Sequence, residues 1–244
     1  MLNAFLWGLL ATSSLVLGGL ISSNFDLGKK TIGIVMGFGA GTLISAISYE
    51  LIFDAVKIAR GTGFPAYGFF AGAFTFYFSD KLIAKIGTKS SPNNGLQHSQ
   101  LIVPMVLAII LDGIPESIVI GLGLFEGGTI SVAMLAAVFI SNLPEAIAGS
   151  SGMKSDGWSK RKITLLWLFI VLVCSLATVA GFSLFTNTTE KWLSFIQAFA
   201  GGAILMMLAN SMIPEAYEHG GKHAGLATVL GFFLSVSTIL LENS

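Results

Sequence analysis

The chain predicts an all-α integral membrane protein, eight transmembrane helices in one bundle. Three observations predict it: an apolar excess no soluble core could hide, eight apolar runs of spanning length, and an internal repeat. Of the 244 residues, 54% are hydrophobic and 11% charged, against roughly 25% charged in soluble domains. The mean hydropathy is +0.82. A water-soluble fold of this size would leave much of that surface exposed, whereas a bilayer accepts it.

A hydrocarbon core of about 30 Å needs around 20 apolar residues per helix. Runs at 2–21, 31–58, 66–86, 101–124, 129–152, 163–186, 192–217 and 223–241 satisfy this. Met1 to Ile21 lacks a basic leading region and a small-residue cleavage site, so it reads as a retained first helix rather than a signal peptide. The longest polar stretch, GTKSSPNNGLQHSQ, separates three helices from five. No stretch is long enough for a separate soluble domain, so residues 1–244 read as one transmembrane domain.

Basic residues favour the cytoplasmic side of short loops. The odd-numbered loops and their flanks hold Lys29, Lys30, Lys81, Lys85, Lys89, Lys154, Lys160, Arg161, Lys162 and Lys222; the other side holds Lys57, Arg60 and Lys191. Both termini are therefore expected outside the cytoplasm. With no organelle presequence evident, the expected location is the plasma membrane.

The repeat aligns Phe38, Gly41, Ile52, Asp54 and Ala55 of the second helix with Phe199, Gly202, Ile213, Glu215 and Ala216 of the seventh, at a constant offset of 161. A shorter echo relates IPESI (114–118) to LPEAI (143–147) at an offset of 29. Transporters are often built from such repeats, with binding between the halves. Gly33, Gly37 and Gly41, like Gly68 and Gly72, have the spacing that lets membrane helices approach closely. They serve either packing within the chain or a homodimer seam.

Ionisable side chains inside a membrane are costly and mark sites by default. Asp112 and Glu116 share one face of the fourth helix, and Ser141 and Glu145 one face of the fifth, with Asn142 beside them. Pro115 and Pro144 deprive the carbonyls of Leu111 and Ile140 of their helical donors, and such oxygens are tolerated where they line a cavity or bind a cation. Three nearby carboxylates cannot all stay charged without a counter-charge. No Lys, Arg or His lies within these two helices to supply one. A divalent cation, or protons in its absence, is the natural partner.

Other chemistries fit poorly. Net charge is zero, with 13 basic and 13 acidic residues, so there is no nucleic-acid footprint. The single cysteine, Cys174, excludes an intramolecular disulfide and reads as packing. All three histidines lie in or beside loops, so no intramembrane base serves Ser141, and the chain does not read as an enzyme. No cofactor is expected. Glu50 and Asp54, with Lys57 a turn later, read either as an internal ion pair or as part of an entrance path. His219 and His223 share a metal-binding spacing, but Gly220 and Gly221 between them argue against a helix there. Glu215 and Glu218 read as the solvated end of the seventh helix.

DGIPES (112–117) and SNLPEA (141–146) resemble the paired fourth- and fifth-helix motifs of the ZIP family of divalent metal transporters. Those motifs read His-Asn-x-Pro-Glu-Gly, then His-Glu-x-Pro-His-Glu or, in a bacterial branch, Gln-Asn-x-Pro-Glu-Gly. GFGAGTLISA (37–46) and AFAGGAILMMLANSMIPEA (198–216) resemble its second and seventh helices. The resemblance implies eight helices with outside termini, and transport of divalent metal of the zinc, iron and manganese class. It makes Glu116, Glu145 and Asn142 metal ligands. Asp112 takes the place of a histidine, Ser141 that of a histidine or glutamine, and Gly113 that of an asparagine. The expected ligand set is therefore Asp112, Glu116, Ser141, Asn142 and Glu145. Because oxygen suits harder metals than imidazole does, one hard site with weakened zinc selectivity is expected. The alternative is a transport-inactive structural or regulatory relative.

Overall fold

The structure, a computed structural model, describes residues 1–88, 102–127, 131–183 and 188–242; the third loop with Lys89 and His98 lies outside them. Every regular element among these residues is helical. They form eight continuous rods: α1 (Leu2–Asn24), α2 (Lys29–Ile58), α3 (Phe64–Thr88), α4 (Ile102–Gly127), α5 (Val132–Ser155), α6 (Lys160–Ser183), α7 (Glu190–Gly220) and α8 (Lys222–Glu242). The chain is an all-α integral membrane protein, and seven of the rods are long and apolar enough to cross a membrane.

The eighth, α3, has the length: 25 residues at about 1.5 Å each make roughly 37 Å. Its apolar character comes from Phe and Tyr interspersed with Gly and Ala rather than from Leu, Ile and Val, which lowers its hydropathy. Tyr67, Phe70, Phe74 and Phe78 lie exposed three or four apart along it, a face suited to lipid.

The rods pack in two groups, α1 with α4, α5 and α6, and α2 with α3, α7 and α8, joined mainly along α2–α5. In the second group, glycines bring α2 onto α8 and α7 onto α3. A Cβ on Gly41 would strike the Thr228 carbonyl, and one on Gly231 the Phe38 carbonyl. At the other seam a Cβ on Gly202 would strike Phe69, and one on Gly72 Phe199. Gly41 and Phe38 are the repeat mates of Gly202 and Phe199. The small-residue stripes thus serve packing within the chain, since Gly33, Gly37 and Gly68 also face backbone of α7 or α8.

The repeat extends to a backbone irregularity. α2 widens into a π-helical turn at Ile47–Ile52, and α7 does so at Leu208–Met212, beginning at residues 161 apart. In α7 the wider turn precedes Pro214, which cannot donate to a carbonyl four residues back. α2 carries the same turn with Phe53 at the corresponding place. The widening therefore belongs to the repeat rather than to the proline, and such turns concentrate at functional sites.

At the end rich in basic residues, Lys154 Nζ donates to Asp26 Oδ1 at 2.8 Å and Lys160 Nζ to Asn24 Oδ1 at 2.9 Å. Lys154 holds the Asp26 carboxyl below its ordinary range by hydrogen bond and by charge. At the opposite end the Val132 amide donates to Glu242 Oε1 at 2.6 Å. In the first group, Trp167 is fully buried against Gly19 of α1, and its Nε1 donates to Ser150 Oγ at 2.7 Å.

Candidate metal pathway

α4 and α5 run through Pro115 and Pro144 without interruption, and this carries their acidic residues into the centre of the molecule. The five expected ligands divide into two levels. Asp112 and Glu145 line a cavity of about 280 Å³, whose wall also holds Met36 of α2 and Met207, Ser211, Met212 and Glu215 of α7. Glu116 and Asn142 do not line it. They lie buried, 1% and 2% exposed, and Glu116 Oε2 and Asn142 Nδ2 have no hydrogen-bond partner among the described residues. A buried polar atom without a partner costs about 1–3 kcal/mol, so each of these needs a reason. Ser141 is fully buried, and its hydroxyl donates to the Val138 carbonyl at 3.0 Å. That bond uses its one proton and leaves its lone pairs.

Gly39 explains how α2 comes so close here. A Cβ on it would stand 3.0 Å from Ser141 Cα, so α2 meets the α5 backbone beside the expected ligands. Gly113 has a similar explanation. A Cβ there would stand 2.8 Å from Cys174 Sγ, so the buried thiol of α6 occupies the space an asparagine would need. The glycine at 113 and the buried thiol at 174 are one packing feature. Ala146, which stands where the motif closes on glycine, is fully buried with its Cβ against the place a Gly18 Cβ would take.

Glu215 is the residue that sequence reasoning placed elsewhere. It reads as the solvated end of the seventh helix, yet it joins Asp112 and Glu145 on the cavity wall from the other helical group. Its signal was present: Ile213–Pro214–Glu215 repeats the Ile-Pro-Glu of 114–116. The histidines differ too. His219 is half-buried, its Cβ beside Gly33, while His223 is exposed. Gly221, at φ 56°, breaks the helix between them. Glu50 finds its partner on α5, where Ser131 Oγ donates to Glu50 Oε1 at 2.7 Å.

Among the described residues no three His, Cys, Asp or Glu side chains are gathered as a metal cage. The arrangement is instead an acid-lined cavity with three thioethers in its wall, and a buried carboxylate and a buried amide about one helical turn further along α4 and α5. Carboxylate oxygens attract divalent cations in general, and thioethers add affinity for the softer ones.

No family model matches the chain. A relative from Arabidopsis thaliana is 23% identical over 222 residues, and the chain spans only 35% of that protein's length. Zinc transporter ZupT of Chlorobaculum parvum is 25% identical over 260 residues, covering 98% of this chain and 97% of its own. Zinc transporter GufA of Myxococcus xanthus is 24% identical over 244 residues, covering 93% and 94%. Nearly the whole chain is thus similar to proteins named zinc transporters, and these relatives bear out its resemblance to the ZIP family of divalent metal transporters.

Proposed function

We propose that this protein transports divalent metal cations of the zinc, iron and manganese class toward the cytoplasm, along the acidic path between α4 and α5. The observation that carries the reading is the unpartnered Glu116 Oε2 beneath a cavity lined by Asp112, Glu145 and Glu215. A carboxylate kept this far from water without a proton donor fits a place where a cation takes the donor's part. The similarity to zinc transporters supports the choice of substrate class.

In this reading Glu116 and Asn142 form the deep binding position, and Asp112 and Glu145 bind or relay the cation at the cavity floor. Glu215 is added to the expected set as a carboxylate from the second helical group. Ser141 contributes at most a lone pair, since its proton is committed. The expectation of a purely hard site is modified by Met36, Met207 and Met212 in the same wall, which broaden selectivity toward softer ions. The cavity opens toward the end that carries the basic loops, which we assign to the cytoplasm of a plasma membrane, with both termini on the other side. Protonation of the carboxylates assists release there; an uptake rate unchanged between mildly acid and neutral pH would remove that step. The eight helices act as one transport unit, alone or as a homodimer.

The test is metal uptake into liposomes reconstituted with the purified chain. Glu116→Ala and Glu145→Ala should each abolish most uptake. A second reading, a structural or regulatory relative without transport, is favoured by the absence of an assembled cage among the described residues. It expects no uptake by the unaltered chain.

A further inference from the structure

The molecule contains a second cavity that the acidic path does not use. It measures about 50 Å³ and is lined by Glu50, Leu51, Val119, Ile120, Gln197 and the Ser131 end of α5, among others. The repeat relates these residues to the open cavity. At the offset of 161, Glu50 corresponds to Ser211, Leu51 to Met212, and Gln197 to Met36; at the offset of 29, Val119 corresponds to Ala148 and Ile120 to Gly149. Each of those five mates lines the larger cavity of about 280 Å³. The two cavities are one feature seen twice, at opposite ends of the bundle, open at one and collapsed at the other.

The collapsed end differs from its mate by a link across the two helical groups. Ser131 Oγ, at the N-cap of α5, donates to Glu50 Oε1 on α2 at 2.7 Å and has Glu242 Oε2 of α8 as a more distant acceptor at 3.1 Å, while the Val132 amide donates to Glu242 Oε1 at 2.6 Å. Ser131 also caps α5 by accepting from the Met134 amide at 3.2 Å. Behind this link Leu51, Val119, Ile120 and Met134 are 2–4% exposed and close the cavity with apolar contacts. At the open end the position of Glu50 is held by Ser211, which is exposed.

We infer that the Glu50–Ser131 hydrogen bond is a latch that holds the outer end of the pathway shut, and that its release opens a vestibule lined by Glu50, Val119, Ile120 and Gln197. The two ends then exchange states. Val119 and Ile120 become accessible to water as Ala148 and Gly149 become covered, and Glu50 becomes a carboxylate that an entering cation meets. This rests on the reading of the chain as a transporter only for the last step, since the exchange of states needs no cation to be detected.

The test is thiol accessibility in the purified full-length protein, in a Cys174→Ser background. Val119→Cys and Ala148→Cys are labelled separately with a bulky water-soluble maleimide, with and without Glu50→Ala. The latch predicts that Glu50→Ala raises the labelling rate at Val119→Cys severalfold and lowers it at Ala148→Cys. Unchanged labelling at Val119→Cys would overturn it. So would a rise at both positions, which is what general loosening of the fold produces, and Glu50→Gln, which keeps an acceptor for Ser131, separates that case by restoring the original rates. Failure of uptake in liposomes with reciprocal labelling intact would refute the transport reading and leave the latch standing.

Discussion

Glu145 of α5 and Glu215 of α7 line the same cavity from opposite helical groups. Each follows a proline, and each prolyl-glutamate lies on a rod whose partner in the repeat carries an acidic residue at or near the matching place: Glu116 for Glu145, Asp54 for Glu215. The cavity wall thus takes carboxylates from both helical groups. A relative movement of the two groups changes how far apart its carboxylates stand, which gives a simple means of binding and release.

If Glu215 belongs to this path, Glu215→Ala should lower uptake by about tenfold or more, comparable to Glu145→Ala. A factor of ten corresponds to about 1.4 kcal/mol, within the range of one lost carboxylate ligand. Glu218→Ala, on the exposed face of the same turn, should leave uptake within about twofold. Metal uptake in liposomes checks both, and equal effects at the two positions would remove Glu215 from the pathway.

The thioethers predict selectivity. Met207 is 1% exposed, and Met207→Leu nearly conserves volume while removing a soft donor. The substitution should reduce cadmium uptake relative to manganese uptake by severalfold, with little change in thermal stability. An unaltered ratio of the two ions would mean that the methionines are packing alone.

The glycine seams predict a contrast in stability. Gly41→Ala drives a Cβ into the Thr228 carbonyl, and overpacking of this kind costs about 1–3 kcal/mol. Gly152→Ala, in α5 with nothing near its missing Cβ, should instead gain up to about 1 kcal/mol from helix propensity. Thermal unfolding in one detergent would show the two variants shifting in opposite directions.

Trp167 gives a third stability prediction. Ser150→Ala removes the acceptor of a fully buried indole N–H, which should cost about 1–3 kcal/mol. Ser155→Ala, whose hydroxyl bonds the exposed Ser151 carbonyl one turn back, should be near neutral. Paired melting curves decide it.

Much of this architecture was legible in the sequence because a bilayer imposes length and polarity on every span. The eight rods follow from that, with ends displaced by a few residues where exposed termini such as Ser155 continue a helix past its apolar part. α3 is the exception in degree, since Phe and Tyr serve a lipid face while scoring as less apolar than Leu or Ile. The repeat was legible through Phe38 and Phe199, although not its consequence that both π turns and both glycine seams obey it.

The site was legible in part. Asp112, Glu116, Asn142 and Glu145 stood out because charge and amide groups are rare in such helices. Their division between a cavity wall and a buried level depends on packing across α2 and α7, which periodicity along α4 and α5 does not encode. Glu215 was hidden by its position near a helix end, where acidic residues are ordinarily solvated. Glycine at 113 is explained by α6 rather than by anything along α4, since the Cys174 thiol fills the space a side chain there would need.

The central claim is tested most directly by locating the cation through anomalous X-ray scattering from crystals of the protein grown with zinc. An anomalous peak is expected between α4 and α5, about 2.0–2.2 Å from carboxylate oxygens, those of Glu116 at the buried level or of Asp112 and Glu145 at the cavity floor. Peaks confined to the loops or to His219 and His223, with none between the two proline-bearing helices, would contradict it.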